Sequence, residues 1–146
     1  KKIVAIKGKN SLYSIALQNY GIANTSIVDK ILEANPKIGD PNKLANQQSV
    51  RLPDIREESL LIPLADGTCQ VRLGTFMKAE YAAFLKAEPS LRGKTVEVLP
   101  RKLASGETWY RAVAGKFNTR EEGLKVIQEL KGKGLSPYFP GFRTKK

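Results

Sequence analysis

Apolar positions in the first fifty residues change period along the chain and predict strand, helix, helix and strand in that order. Short β-rich runs cover residues 3–6 and 49–52, and Pro53 closes the second. Between them, apolar residues recur at the three- and four-residue spacing of a helix face. They are Leu12, Ile15 and Ala16 in the first helix and Ile27, Val28, Ile31 and Leu32 in the second. The pattern therefore predicts a βααβ unit.

Polar and special residues mark the ends of these two predicted helices. Ser11 is a good N-cap for the first helix, and Gly21 ends it. Ser26, followed three residues later by Asp29, predicts a capping box for the second helix. Pro36 disfavours helical backbone at the residue before it, so we expect the second helix to end there.

Strands and helices alternate in the second half of the chain. The pattern predicts strands at 69–76, 95–99 and 109–117, helices at 78–87 and 119–133, and an extended edge strand at 137–140. In the helix at 78–87, the expected inward residues are Ala79, Ala82 and Ala83. The order β-α-β-β-α-β, with both helices on one sheet face, is the ferredoxin-like arrangement. The predicted fold class is therefore α+β.

The segment between the two halves carries conflicting signals. Leu60 to Leu64 is apolar, and Asp66-Gly67 is a strong hairpin signal before the strand at 69–76. In a ferredoxin-like sheet that strand already has two neighbours, so a hairpin partner would have to displace or follow the last strand. We therefore divide the chain into 1–53, an acidic linker at 54–67 that could add a strand, and 68–146.

Composition excludes several kinds of site. The 146 residues include no His and one Cys, which excludes His/Cys zinc sites, an internal disulfide and nucleophile systems that depend on His. The acidic residues offer no facing pair of carboxylates of the kind a glycosidase needs, so we expect neither enzyme activity nor a metal or other cofactor. No apolar run approaches the roughly 20 residues of a membrane-spanning helix. Because the chain begins at Lys1, we expect a larger parent protein, and any membrane contact would come through a segment upstream.

Charge divides the chain into three parts. The net charge is +11, with 8 basic and 3 acidic residues in 1–53, 1 and 4 in 54–67, and 16 and 7 in 68–146. Two basic blocks thus flank an acidic strip. This balance predicts a polyanionic or carboxylate-bearing partner.

Three separated motifs in the first block, at 9–16, 31–36 and 48–53, resemble the LysM module. The resemblance implies a βααβ fold that binds N-acetylglucosamine-containing glycans, in a groove between the loop after the first strand and the loop after the second helix. The implied groove residues are Gly8, Lys9, Asn10, Ser11, Leu12, Asn35, Pro36, Lys37 and Ile38. The sequence departs from the family at Lys9-Asn10, where Gly-Asp is usual, and at Gln47, where Gly is usual.

Two motifs in the second block, at 70–76 and 110–117, resemble the SPOR domain over about residues 68–142. The resemblance implies recognition of peptidoglycan glycan strands, especially strands without stem peptides, on an open sheet face. By strand alternation, the residues expected on that face are Gln70, Arg72, Gly74, Trp109, Arg111 and Val113. Arg72 stands where the family has Gln. The other interpretation is that Trp109 packs in the core and the arginines are ordinary solvated residues.

Together the two resemblances predict a non-catalytic module that binds peptidoglycan glycan strands and anchors or targets a larger protein of the bacterial envelope, in the periplasm. A LysM module followed by a SPOR domain is also similar to the end of an ATPase of the general secretion pathway A type. The alternative is a basic ferredoxin-like domain that binds RNA or another polyanion. Nucleic acid is disfavoured, because the strand at 110–117 lacks the spaced aromatic pair on which RNA-binding sheets stack bases.

Overall fold

The computed structural model describes residues 2–5, 11–45 and 48–143. The regular elements are β1 (Lys2–Ala5), α1 (Leu12–Tyr20), α2 (Thr25–Glu33), β2 (Ser49–Leu52), β3 (Leu61–Pro63), β4 (Cys69–Phe76), α3 (Ala83–Lys86), β5 (Thr95–Lys102), β6 (Thr108–Phe117) and α4 (Arg120–Gly132). Short 3-10 turns occupy Glu57–Leu60, Ala79–Ala82 and Pro89–Leu91. Within the described ranges, no helix is long and apolar enough to cross a membrane.

The first block has the predicted order of elements. β1 pairs antiparallel with β2, with Lys2 opposite Leu52. The Ser11 hydroxyl caps α1 by accepting from the Ser14 backbone N–H. Gly21 ends α1 in the left-handed region at φ 76°, a conformation that glycine adopts without steric cost.

The start of α2 differs from the prediction, because Asn24 is the N-cap. Its side-chain oxygen accepts from the Ile27 backbone N–H, and its amide nitrogen donates to the Pro137 carbonyl. The capping box predicted from Ser26 and Asp29 is therefore wrong. Since Asn24 already satisfies the helix end, both of those side chains are free to point elsewhere.

The second block forms a four-stranded antiparallel sheet in the order β3-β4-β6-β5. The hairpin between β3 and β4 places Leu61 opposite Val71, and the Leu64 N–H bonds to the Thr68 carbonyl across the turn. The apolar run of the linker thus supplies the edge strand.

The strand predicted at 137–140 is not formed. Residues 135–142 contain turns, and the Phe139 N–H bonds to the nearby Ser136 carbonyl instead of to a neighbouring strand. Pro137 and Pro140 have no N–H to offer a sheet. The edge position is therefore taken by β3, and the exact ferredoxin-like order is not observed.

The helix predicted at 78–87 is a 3-10 turn followed by the short α3. Of the three alanines expected to face inward, only Ala82 is buried. Larger side chains anchor the segment instead: Leu85 is buried, and the ring of Phe84 meets that of Phe76 edge-on at 6.2 Å.

The sheet is covered on both faces. Thr119 caps α4, and an added Cβ at Gly123 would lie 2.7 Å from Leu61 and 3.5 Å from Val71, so α4 packs closely on one face. The next residue after Val71, Arg72, reaches α2. Because successive strand residues point to opposite faces, α2 lies against the other face. The helix α4 of the second block therefore covers one face of the sheet, and α2 of the first block covers the other.

We predict that Asn24→Ala lowers the free energy of unfolding more than Thr119→Ala. Losing a helix cap costs about 1 kcal/mol, and Asn24 also loses its bond to Pro137, for about 2 kcal/mol in total. Urea unfolding followed by tryptophan fluorescence measures both variants. Equal losses would show that the contact between α2 and residues 135–142 contributes nothing to stability.

Candidate functional site

The sheet face that we expected to be open lies beneath α2. Trp109 is 0% exposed, Val113 4% and Arg72 7%, while Arg111 and Gln70 are partly exposed. The expectation of an exposed face is therefore wrong for this arrangement of the chain. The sequence of the sheet strands alone does not show that a helix of the first block covers this face.

A bulge in β4 also changes which residues share the face. The pairing of β4 with β6 shifts between Arg72 and Gly74, so that Thr75 lies opposite Arg111 and Gly74 lies opposite Ala112. Simple alternation had placed Gly74 beside Arg72. The bulge moves Gly74 off that face and brings the Thr75 hydroxyl onto it.

Three arginines and a threonine converge on one carboxylate, that of Asp29 in α2. Asp29 accepts from Arg72 Nη2 at 2.9 Å, from Arg101 Nε at 2.8 Å, from Arg111 Nε and Nη2 at 3.0 and 2.9 Å, and from the Thr75 hydroxyl. The side chain is fully buried. We call Asp29, Thr75, Arg72, Arg101 and Arg111 the arginine cluster.

Neighbouring groups complete the hydrogen bonding around the arginine cluster. Arg72 Nη1 donates to Glu33 Oε1 at 2.6 Å, and Arg72 Nε donates to the Tyr138 hydroxyl at 3.1 Å. The Ser26 hydroxyl donates to the Thr75 carbonyl and accepts from the Thr75 N–H. The cluster therefore joins α2, three strands of the sheet and the segment after α4.

The charges around Asp29 decide its protonation state. Burial acts to raise the pKa of the Asp29 carboxyl, but the hydrogen bond from Thr75 and the charges of Arg72 and Arg111 outweigh it. The pKa is therefore held below its ordinary value of 3.8. The carboxylate is ionised at neutral pH and pairs with three permanent cations.

Trp109 is enclosed on the covered face. Its place in β6 is two residues from Arg111, and it lies opposite Arg101 of β5, so it shares their face. Its indole N–H has no hydrogen-bond partner among the described residues. A buried N–H donor is costly to leave unpaired, so this N–H would gain from an acceptor that enters the face.

A separate groove opens at the other end of α2. It encloses about 530 Å³ and is lined by Ala34, Asn35, Pro36, Lys37, Ile38, Gln48, Ser49 and Arg51. This set includes all four groove residues predicted after the second helix. We call it the α2–β2 groove.

Asn35 holds the two walls of the α2–β2 groove together. Its side-chain amide donates to the Ile31 and Arg51 carbonyls, and its oxygen accepts from the Arg51 N–H, all within 2.8 Å. Pro36 and Lys37 are exposed at the rim, and Ile38 is buried. Asn35 therefore positions the groove instead of offering its amide hydrogens to a ligand.

The other predicted groove residues are placed less favourably or lie outside the described part. Ser11 is committed as the cap of α1, and Leu12 is 0% exposed. Gly8, Lys9 and Asn10 fall outside the described residues. The structure thus brings together the 35–38 side of the predicted groove and adds three residues from the 48–51 side.

The residues of the second block show which protein family the chain belongs to. The family model of the SPOR domain matches residues 65–140, just over half of the chain. The chain belongs to the SPOR domain family. SPOR domains bind peptidoglycan, are binding domains and not catalytic ones, and occur in proteins of the bacterial cell envelope. No curated protein and no solved structure matches the chain.

The sequence did not predict three members of the arginine cluster as site residues: Asp29, Thr75 and Arg101. Asp29 carried a misleading local signal, since it fits a capping box equally well. The bulge in β4 places Thr75 on a face that strict alternation does not predict for it. Arg101 lies two residues beyond the predicted end of its strand. A longer strand would have placed it on the face of Leu99, which lies opposite Arg111.

We predict that Asp29 makes the protein sensitive to acid. Because its folded pKa is depressed, its contribution to stability is fully present above pH 3.8 and is lost as the pH falls through the lower folded value. At neutral pH, Asp29→Ala should lower the free energy of unfolding by about 3 kcal/mol, since it removes the buried partner of three arginines, of which Arg72 and Arg111 keep only Glu33 as an ion-pair partner among the described residues. The difference from wild type should shrink below pH 3.8.

Urea unfolding between pH 2 and pH 7 measures this difference. Glu121→Gln is the matched control, because Glu121 is an exposed carboxylate on α4, on the opposite face of the sheet. A difference between wild type and Asp29→Ala that stays constant across this pH range would contradict the role given to the carboxylate.

Proposed function

We propose that this SPOR-family chain is a non-catalytic module that holds a larger envelope protein to peptidoglycan. We also propose that the α2–β2 groove is the glycan-binding site that is open while α2 covers the sheet. The observation that carries the proposal is accessibility. The groove is open to solvent, whereas the sheet face expected to bind glycan is covered by α2.

The groove has the chemistry that an amino sugar requires. Pro36 and Ile38 offer apolar surface to the face of a sugar ring, and Gln48 and Ser49 offer polar groups to its hydroxyl and acetamido substituents. Lys37 and Arg51 are exposed at the edge and form no ion pair with any described residue. They can pair with carboxylates along the wall polymer.

The LysM resemblance of residues 1–53 supports the same assignment, since it implies a groove at this position and N-acetylglucosamine as the sugar. We therefore propose a LysM-like first block, a SPOR second block and a periplasmic location. The order of the blocks is similar to the end of a general secretion pathway A ATPase, and a parent of that kind would carry its catalytic part outside this chain.

We predict that Lys37→Ala/Arg51→Ala weakens binding to purified, insoluble peptidoglycan by about tenfold or more, since a hydrogen bond to a charged group contributes about 1.5 kcal/mol. Co-sedimentation at low and moderate salt measures the affinity. The matched control is Arg120→Ala/Lys125→Ala, which removes two exposed cations from α4.

Specific recognition requires that the groove variant lose more affinity than the control and that wild-type binding persist at moderate salt. Equal losses, or binding that disappears with salt, would show that net charge explains the association. An excess of single-stranded RNA in a parallel sample tests the polyanion alternative: competition at moderate salt would favour RNA over glycan.

A further inference from the structure

We propose that α2 closes the sheet face by an autoinhibitory contact, in which Asp29 occupies the position that a carboxylate of the wall polymer would take once α2 undocks. The proposal rests on peptidoglycan as the ligand of the chain, but it does not depend on the α2–β2 groove. It assigns to α2 the role of an internal competitor.

The helix stripe that meets the sheet is polar. Ser26, Asp29 and Glu33 contact the face at the three- and four-residue spacing of one helix side. Helices that are permanently buried against a sheet usually present an apolar stripe, whereas interfaces between domains that move apart are more polar. Hydrogen bonds and ion pairs of this kind can be exchanged for those of a ligand.

Every described carboxylate that pairs with the three arginines belongs to α2. Arg72 pairs with Asp29 and Glu33, Arg101 with Asp29, and Arg111 with Asp29 and Glu33. With α2 displaced, the face would present three guanidinium groups without a counter-ion. Such a surface requires an anionic partner, and planar guanidinium groups match carboxylates in a bidentate manner, as Arg111 already does with Asp29.

Trp109 adds a hydrogen-bond donor and an aromatic ring to the same face. Its N–H is fully buried on the same face and has no partner among the described residues. A ligand that replaces α2 would offer oxygen acceptors to this N–H and a sugar face to the indole ring. The closed state leaves unsatisfied a donor that a hydroxyl-rich polymer can satisfy.

Two carboxylates of peptidoglycan fit this chemistry. One is the lactyl carboxylate of the glycan strand, which becomes free when an amidase removes the stem peptide. The other belongs to the stem peptide itself. Either would exchange one carboxylate for another at the arginines, so that Asp29 moves into water as the ligand enters.

Trp109 is the only tryptophan of the chain, so its fluorescence reports directly on the covered face. The experiment titrates the full wild-type chain with soluble glycan strands stripped of stem peptides, with the same strands after their carboxylates are converted to methylamides, and with free stem peptide. The readouts are the emission maximum and quenching by acrylamide. We expect a saturable red shift and increased quenching with stripped strands and none with methylamide strands. The same response to free stem peptide would assign the carboxylate to the peptide.

Asp29→Asn tests the internal competitor directly. It removes the competing charge with little change of shape, and the affinity for stripped strands should rise at least about tenfold because more of the protein is then competent to bind. Glu121→Gln makes the same charge change on α4 and should leave the affinity unchanged. The gain should persist in Asp29→Asn/Arg51→Ala, which separates this surface from the groove.

The proposal is overturned if wild-type Trp109 keeps its emission and quenching unchanged while stripped strands bind to saturation. It is also overturned if a folded Asp29→Asn variant, checked by near-ultraviolet circular dichroism, binds no tighter than Glu121→Gln. If Asp29→Asn does not fold, the wild-type titration decides the matter without it.

Discussion

A single carboxylate with no exposure to water, that of Asp29, organises the contact between the two blocks. Burying an unpaired charge is prohibitively costly, so α2 can lie on the sheet only where Arg72, Arg101, Arg111 and Thr75 all reach that carboxylate. The requirement fixes both the position and the rotation of the helix. It also fixes what is covered, because the same docking encloses the sheet face that carries the arginines.

The position of α2 has a second consequence, at its other end. Asn35 lies two residues after the helix and bonds to the backbone of Arg51 in β2, so the groove between them is formed within the first block. The helix therefore borders both surfaces. Docking of α2 closes the sheet face, while the exposed cations Lys37 and Arg51 stay available to solvent at the groove.

The elements that the sequence predicted well are those fixed by local pattern. Apolar spacing located both N-terminal helices, and Ser11 caps the first of them as expected, because a cap needs only a backbone N–H three residues away. The SPOR motifs identified the family. The predictions that were wrong concern residues whose local pattern fits more than one structure. Ser26 and Asp29 fit both a capping box and a polar helix stripe. The cap at Asn24 and the distant arginines decide between the two. The sequence also did not show that the sheet face is covered, since this depends on Asp29, which lies 43 to 82 residues before the three arginines.

Tethering makes the competition at the arginine cluster unequal. Asp29 is attached to the same chain, so its effective concentration at the arginines is on the order of millimolar or higher, and an isolated carboxylate needs a comparable concentration to displace it. A polymer held in the α2–β2 groove is in a different position, because its repeating carboxylates are then also concentrated near the sheet. If the polymer binds at the groove as proposed, it would thereby favour opening of the sheet face. By thermodynamic linkage, a ligand on the opened face must in turn strengthen attachment to the polymer at the groove. A long strand that reaches both proposed surfaces should therefore bind more tightly than a fragment that reaches only one.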